Sequence, residues 1–304
     1  MSEASVKYQI TEEYVGERLD KGLSLLIDYV SRSSLAKKIK DGNVLVNGRV
    51  VKPSYLLCEN DEVELTVSPS EEPEILAEAI PLDILYEDND VLVVNKPKDM
   101  VVHPAPGHYS HTLVNAVMHH CKDSLSGING VLRPGIVHRI DKDTTGSIII
   151  CKNDRAHLSI ANQLKEHSIK REYHAICYGR IEEPGGVIQG NIGRDPKDRM
   201  KMAIVPSGKP AITHYEVLKR FEHYTYIKCI LETGRTHQIR VHMASIHHPL
   251  LGDSVYAGEP SKFKLNGQTL HAKTIGFVHP VSGQYIELDA PLPDYFEHLL
   301  SILE

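Results

Sequence analysis

Apolar residues recur at helical spacing at Leu19, Leu23, Leu26 and Val30, which predicts a helix over 18–30 with one buried stripe. Ser33 is placed to cap a second, short helix that turns Leu35 and Ile39 inward, and Asp41-Gly42 would end it. Val44-Leu45-Val46, Asn47-Gly48 and Arg49-Val50-Val51 follow, a hairpin signal because Asn-Gly accepts the positive φ angles of a type I′ turn. The result is a compact helix-helix-hairpin unit over 14–70. Residues 71–82 belong to a Pro- and Glu-rich stretch (SPSEEPEILAEAIP, 68–81) that reads as a linker. Beyond it, 84–96 reads as strand, Glu-Asp-Asn-Asp turn and strand, and Asn95-Lys96-Pro97 opens a loop of Pro, Gly and His. Asn153-Asp154 caps a helix expected to reach Lys165, strands are predicted at 147–151, 171–178, 187–192, 211–219 and 224–232, and Thr236 would cap a helix to Ile246. Many strands with few helices between them predict an α+β fold, in which 83–304 forms a larger domain around a mixed, mostly antiparallel sheet.

A chain of 304 residues can bury two cores of unequal size. Its longest apolar runs fall far short of a membrane span, and 1–8 (MSEASVKY) carries no apolar stretch, so a cytoplasmic protein without a membrane partner is expected. The five cysteines are dispersed and never spaced as CxxC, which argues against a disulfide framework or a zinc ribbon.

The net charge of −6 argues at first against a nucleic-acid partner, but it is an average over opposed segments. From 32 to 52 the chain carries Arg32, Lys37, Lys38, Lys40, Arg49 and Lys52 against Asp41 alone, whereas 53–95 holds no Lys or Arg and many acids. A basic module ahead of an acidic linker leaves RNA or DNA binding open. The bland alternative is a solvated helix face.

Phosphate loops, dinucleotide fingerprints and serine-hydrolase elbows are absent from the sequence. His119-His120-Cys121 and His247-His248 suggest metal only superficially, since adjacent residues do not share a helix face and no HExxH or Cys/His zinc spacing occurs. The stretch GIVHRIDKDTTGSIIICKN (135–153) is more informative: it crowds acids and bases beside a Thr-Thr-Gly turn that feeds an apolar strand. Two distant segments offer it partners, KREY (170–173) and LETGRTHQIRVHMASIHHPLLGD (231–253), with Arg235 and Arg240 flanking a helix start. A carboxylate beside a guanidinium stays ionised at neutral pH and available as a nucleophile. The alternative is a structural Asp-Arg pair clamping two strands.

HRIDKDTTG, KREY and GRTHQIRVHMASIHHPLLGD, together with VLVVNKPKDMVVHP (91–104), resemble the signatures of the RluA/RluD-type RNA pseudouridine synthases, in matching order. The basic unit near the N-terminus resembles the small RNA-binding domain shared with a small-subunit ribosomal protein, often fused ahead of that catalytic domain. The resemblance runs from about Gly16 to Leu292. The family's usual His-Arg-Leu-Asp appears here with Ile140 for Leu, a conservative apolar change.

On that resemblance Asp141 is the catalytic nucleophile, Arg240 its partner, Tyr173 the ring packed on the target base, and Arg139 the side chain that replaces the extruded nucleotide in the RNA stack. Taken singly and without the family, Tyr173 reads rather as core filler and Arg139 as a surface ion pair. The isomerisation of uridine to pseudouridine breaks the sugar–N1 bond, turns the base and rejoins it through C5, so it implies no cofactor, metal or second substrate. A carboxylate against an electron-deficient sugar carbon is the device glycosidases use, and extruding the base costs roughly a few kcal/mol that phosphate contacts must offset. Arg32, Lys37, Lys38 and Lys40, and Arg199 and Lys201 within the basic loop 194–209, are the residues expected to make them. The expected partner is RNA, most of all large-subunit ribosomal RNA, with no obligatory protein partner implied. Transfer RNA as substrate, a noncatalytic RNA-binding protein on this scaffold, and a glycosidase-like hydrolase are the alternatives; the last lacks a convincing second carboxylate, because Asp143 is placed to order the turn.

Overall fold

The structure, a computed structural model, describes residues 4–27, 32–67, 75–104, 109–122, 124–128, 130, 133–198, 201–258 and 261–303. The chain divides into two compact units, Met1–Glu74 and Ile75–Glu304.

The first unit contains β1 (Ala4–Gln9), α1 (Leu19–Leu26), α2 (Arg32–Lys40), β2 (Val44–Val46), β3 (Arg49–Val50) and β4 (Glu62–Val67). The strands form an antiparallel sheet in the order β1-β4-β2-β3. Leu19, Leu23 and Ile27 meet Leu35, Ile39, Val44, Val46 and Val63 in one core, so the helical spacing and the hairpin pattern point to the same interior. Asn47 and Gly48 take φ of 50° and 73°, as a type I′ turn requires. The helix begins at Arg32, which places Ser33 inside it rather than at its cap, and Val30 lies outside the described residues. The unit also starts earlier than residue 14, because the polar-looking β1 pairs along its whole length with β4.

The second unit runs β5 (Ile84–Glu87), β6 (Val91–Lys96), α3 (Leu113–Cys121), β7 (Thr145–Cys151), α4 (Asp154–Lys165), β8 (Lys170–Tyr178), β9 (Gly185–Arg194), β10 (Met202–Ile204), β11 (Lys209–Arg220), β12 (Tyr224–Leu231), α5 (Gln238–Ser245), β13 (Leu270–Val278), β14 (Tyr285–Asp289) and α6 (Asp294–Ile302). Its ten-stranded sheet has the order β10-β9-β11-β12-β8-β13-β7-β6-β5, with β14 beside β13. Among the described residues, only β13 and β7 pair in parallel. Their two-residue contact ends where β13 shifts register between Ala272 and Thr274, and β14 takes up the rest of that edge. Alternate residues of β6 and β7 face different cores: Leu92, Val94, Ile148 and Ile150 one, Val91, Val93, Ile149 and Cys151 the other. Burial on both faces explains their continuous apolar runs.

Three features differ from expectation. The linker is shorter than 71–82, since Ile75 is buried in the larger core, Asn115 Nδ2 donates to Leu76 O (2.7 Å), and Glu78 N–H donates to Asn115 O (2.9 Å). The Pro/Gly/His loop contains α3, opened by a reciprocal cap between Thr112 and Asn115. The basic loop 194–209 carries a short strand, β10, folded back on the end of β9.

Candidate active site

Asp141 stands on a turn immediately before β7, and several buried contacts fix that turn. His138 Nε2 accepts from Ile149 N–H (2.9 Å), and Thr144 N–H donates to Asp141 O (3.1 Å). Thr144 Oγ1 accepts from Gln268 Nε2 (3.0 Å), and Thr145 Oγ1 bonds His271 Nδ1 (2.8 Å). Gly146 has φ of 108°, and a Cβ there would lie 2.3 Å from Ala272 O, so only glycine lets β7 approach β13 here. Thus the Thr-Thr-Gly run is the seam between two parallel strands, and Asp141 sits at its mouth. Lys96 completes the support: fully buried, its ammonium donates to the carbonyls of Pro97 (2.8 Å), Met100 (2.9 Å) and Lys142 (3.0 Å). Burial, only partly opposed by Asp143 and Asp141, pulls its pKa down to about 7.

Arg240 reaches Asp141 from α5. Its Nη1 donates to Asp141 Oδ2 (3.1 Å), while Nε and Nη2 fork onto Oδ2 and Oδ1 of Asp253 (2.7 and 2.9 Å). Burial disfavours its charge, but Asp253 and Asp141 outweigh that and hold the guanidinium far above its ordinary pKa. The side chain of Asp253 is wholly buried and also accepts from Val255 and Tyr256 N–H (3.0 and 3.2 Å). His237 Nε2 lies 3.9 Å from Asp141 Oδ2, and its Nδ1 bonds Tyr256 Oη (2.9 Å). Oδ1 of Asp141 receives no donor among the described residues, so one carboxylate oxygen is held and the other is free for a substrate.

Thr236 does not cap α5. The helix starts at Gln238 after His237, which adopts a left-handed conformation (φ 57°). Gln238, the first helical residue, instead ties the helix start to its surroundings, its Oε1 accepting from Arg235 N–H (2.9 Å) and Thr233 Oγ1 (2.8 Å) while its Nε2 donates to Ile212 O (2.9 Å). A fully satisfied buried amide of this kind rigidifies the helix start that carries Arg240.

Asp141, Arg240 and Tyr173 line one cleft of ≈ 550 Å³, together with Arg139, Arg171, Arg235 and His237. Tyr173 is nearly buried, and burial raises its phenol pKa despite the opposing pull of Arg171. Three segments far apart in sequence therefore converge on a single carboxylate.

The model of the RNA pseudouridylate synthase family matches residues 90–245, and that of the S4 domain matches 17–63. The chain belongs to the RNA pseudouridylate synthase family. An RNA pseudouridine synthase of Bacillus subtilis is 52% identical over 293 residues, 96% of each chain. Ribosomal large subunit pseudouridine synthase D of Zymomonas mobilis is 45% identical over 310 residues, 97% of this chain and 96% of the other. The structure of human RNA pseudouridylate synthase domain containing 1 shares the fold, with a TM-score of 0.58 and 24% identity over 75% of this chain and 96% of the other. This chain is accordingly an isomerase that forms pseudouridine in RNA, built from an RNA-binding S4 domain and a synthase domain.

The remaining basic residues of the synthase have mixed surroundings. Lys37 and Lys40 are exposed and Lys38 half-buried, but Arg32 Nη2 meets Asp20 Oδ2 at 3.2 Å, where Arg18 also binds, so part of its charge is already paired. Arg139 is exposed at the cleft and Lys201 partly exposed beside β10, while Arg199 lies outside the described residues. Lys96, His237, Gln238, Asp253 and Tyr256 are the site's supporting residues that sequence reasoning missed. Lys96, His237, Gln238 and Asp253 lie within the recognised motifs, but spacing carries no information on what each touches.

Among the described residues, Asp88, Asp90 and His279 offer donor atoms within 4.8 Å of one another. Their hydrogen bonds are otherwise accounted for: Asp88 Oδ2 accepts from Tyr86 Oη and His279 Nε2 (both 2.7 Å), and His279 Nδ1 accepts from Val281 and Ser282 N–H (3.2 and 3.1 Å). That clamp ties the β5–β6 turn to the β13–β14 turn and lies outside the cleft. Of the adjacent histidine pairs, His120 bonds Glu87 and His248 bonds the Tyr178 carbonyl (both 2.9 Å).

Proposed function

We propose that the cleft isomerises uridines of large-subunit ribosomal RNA in the cytoplasm, with Asp141 as the nucleophile. The observation that carries the reading is the asymmetry of the Asp141 carboxylate: Oδ2 is held by Arg240, which Asp253 anchors, and Oδ1 points to no protein donor among the described residues. An oxygen held in this way is pre-positioned for the sugar, and pre-organisation of a reacting group supplies much of an enzyme's rate enhancement. Oδ1 then attacks C1′, or removes the C2′ proton to give a glycal, as the N1–C1′ bond breaks. Tyr173 packs on the target base and Arg139, exposed beside it, fills the gap left in the RNA stack. Lys37, Lys38, Lys40 and the unpaired part of Arg32 contact phosphates, as do Lys201, beside β10, and Arg199. The ribosomal substrate is supported by the Zymomonas relative, a ribosomal large subunit pseudouridine synthase that matches nearly the whole chain.

The test is to map pseudouridines in ribosomal and transfer RNA from cells with the gene, without it, and with Asp141→Asn. Sites in large-subunit ribosomal RNA should vanish in both mutant strains, since an amide neither attacks the sugar nor offsets its positive charge. Normal modification by a folded Asn variant would overturn the assignment of Asp141, and loss of sites in transfer RNA alone would overturn the substrate.

A further inference from the structure

Arg171 is a buried cation without a carboxylate. It is 8% exposed, yet among the described residues it forms no ion pair. Its Nη2 donates to the Glu232 carbonyl (2.8 Å), and its Nε is buried with no acceptor. A buried charge is ordinarily paired, because desolvation without compensation costs several kcal/mol. The contrast with Arg240 is direct, since that guanidinium faces two carboxylates in the same cleft. Another cleft arginine, Arg235, donates from Nε to the Pro210 carbonyl (3.0 Å) and among the described residues has no carboxylate partner either, so like charge adds to the imbalance. The cleft thus holds positive charge that no described carboxylate pairs.

The location tells what the missing anion is. Arg171 and Tyr173 are two residues apart on β8, so their side chains leave the strand on the same face, and both line the cleft. Asp141 lines the same cleft as both, so the guanidinium, the ring and the nucleophile share one cavity. Phosphates of a bound RNA lie along the surface, whereas Arg171 is at the depth of the ring on which the base would pack.

We propose that Arg171 stabilises the negative charge that the uracil base acquires when it detaches from the sugar. This rests on the isomerase reading above. When the N1–C1′ bond breaks, its electron pair stays on N1 and is shared with O2 and O4, while C1′ gains a bond to Asp141 Oδ1 or the sugar loses its C2′ proton to that oxygen. The base then turns and C5 attacks C1′, which expels Asp141 Oδ1 in the first route or takes the proton back at C2′ in the second, and the C5 proton leaves to a base. The charge exists only between the two bond changes, so a fixed cation beside it favours the transition state over bound uridine. Neutral uridine would leave Arg171 uncompensated, as it is in the free protein.

The competing explanation is a loop clamp, since Arg171 holds the Glu232 carbonyl and a Cβ on Gly234 would come within 2.7 Å of Nη1. Single-turnover rates at saturating enzyme separate the two, using short RNA with uridine or 5-fluorouridine at the target position and following consumption of the N1-linked nucleoside by chromatography of the digest, since a C5 fluorine cannot leave as a proton. Fluorine withdraws electrons and helps the free base carry its charge. Arg171→Gln, which can still donate to Glu232 O, should slow conversion of uridine by about 100-fold, the scale of losing one electrostatic stabiliser, with RNA affinity within about 3-fold. The loss should shrink to roughly 10-fold with 5-fluorouridine, and Arg171→Lys should keep most of the wild-type rate on both. Equal slowing of both substrates would overturn the proposal in favour of the clamp. Weaker binding with a flatter salt dependence would overturn it in favour of a phosphate contact. Should the Gln variant unfold, the Lys variant decides: a rate below one-tenth of wild type on both RNAs refutes a role for charge. Wild-type protein inactive on every uridine RNA would instead count against the isomerase reading.

Discussion

Asp253→Asn tests whether the Asp141 carboxylate is positioned through Arg240. The change removes one charge and almost no volume from a side chain that is wholly buried and accepts from Arg240 Nε and Nη2 at 2.7 and 2.9 Å. An Asn amide must turn one N–H₂ toward those donors, so the fork loses an acceptor and gains a donor–donor clash. Breaking a buried pair from one side typically costs about 3–5 kcal/mol. For a unit of this size each kcal/mol lowers the thermal midpoint by about 2–4 °C, so a fall of roughly 6–20 °C is expected by circular dichroism. Below that midpoint the fold persists, but Arg240 Nη1 is no longer fixed against Asp141 Oδ2, and a displacement on the order of 1 Å at a reacting group can slow turnover about 100-fold. Single-turnover isomerisation of a ribosomal RNA fragment at 25 °C measures this with binding saturated. Asp253→Leu combined with Arg240→Met removes both charges; it should recover part of the lost stability and show no activity, because an apolar pair replaces the buried ions without restoring the contact to Asp141. A midpoint within about 2 °C of wild type, less than 1 kcal/mol, together with an unchanged rate would refute the reasoning.

Tyr173→Phe keeps the ring and removes the hydroxyl, so RNA binding should stay within a few-fold while product formation falls at least about 10-fold. Because burial raises this phenol's pKa, its ionised fraction is small at neutral pH and grows as pH rises; the part of the rate lost in the Phe variant should therefore increase from pH 7 to 9, and a pH-independent or undiminished rate would leave Tyr173 to packing alone. Removing residues 1–74 should leave the larger unit folded, weaken RNA binding and flatten its salt dependence, with less effect on saturated single-turnover chemistry. Extending the deletion through Leu82 takes away Ile75 and the Leu76 and Glu78 backbone contacts to Asn115, and the thermal midpoint of the remaining unit should then drop; equal midpoints for the two truncations would show that this segment is only a tether.

The elements most legible in the sequence were those whose instructions are local. Asn47-Gly48 specifies a turn by its φ angles alone, Asn153 caps α4 by accepting from Ala156 N–H (2.9 Å), and the apolar periods of 19–39 need only one shared interior. The small unit's β1 and the helix α3 escaped because nothing in their own composition marks them: β1 is a strand by virtue of β4, and α3 is announced by a Thr-Asn cap in a run rich in His and Gly. The family motifs singled out Asp141, Tyr173 and Arg240, since the order of short signatures along a chain is itself sequence information. What those residues touch was decided by the tertiary structure. That Oδ2 of Asp141 is held and Oδ1 left free, that Asp253 anchors Arg240, that Lys96 grips the Asp141 turn, and that Arg171 is buried without a counter-charge among the described residues all follow from packing between positions 13 to 99 residues apart. Spacing along the chain fixes which face a side chain leaves from; distance, burial and hydrogen-bond satisfaction depend on the neighbouring strand or helix, and these set the energies that make a carboxylate a nucleophile and not a strand clamp.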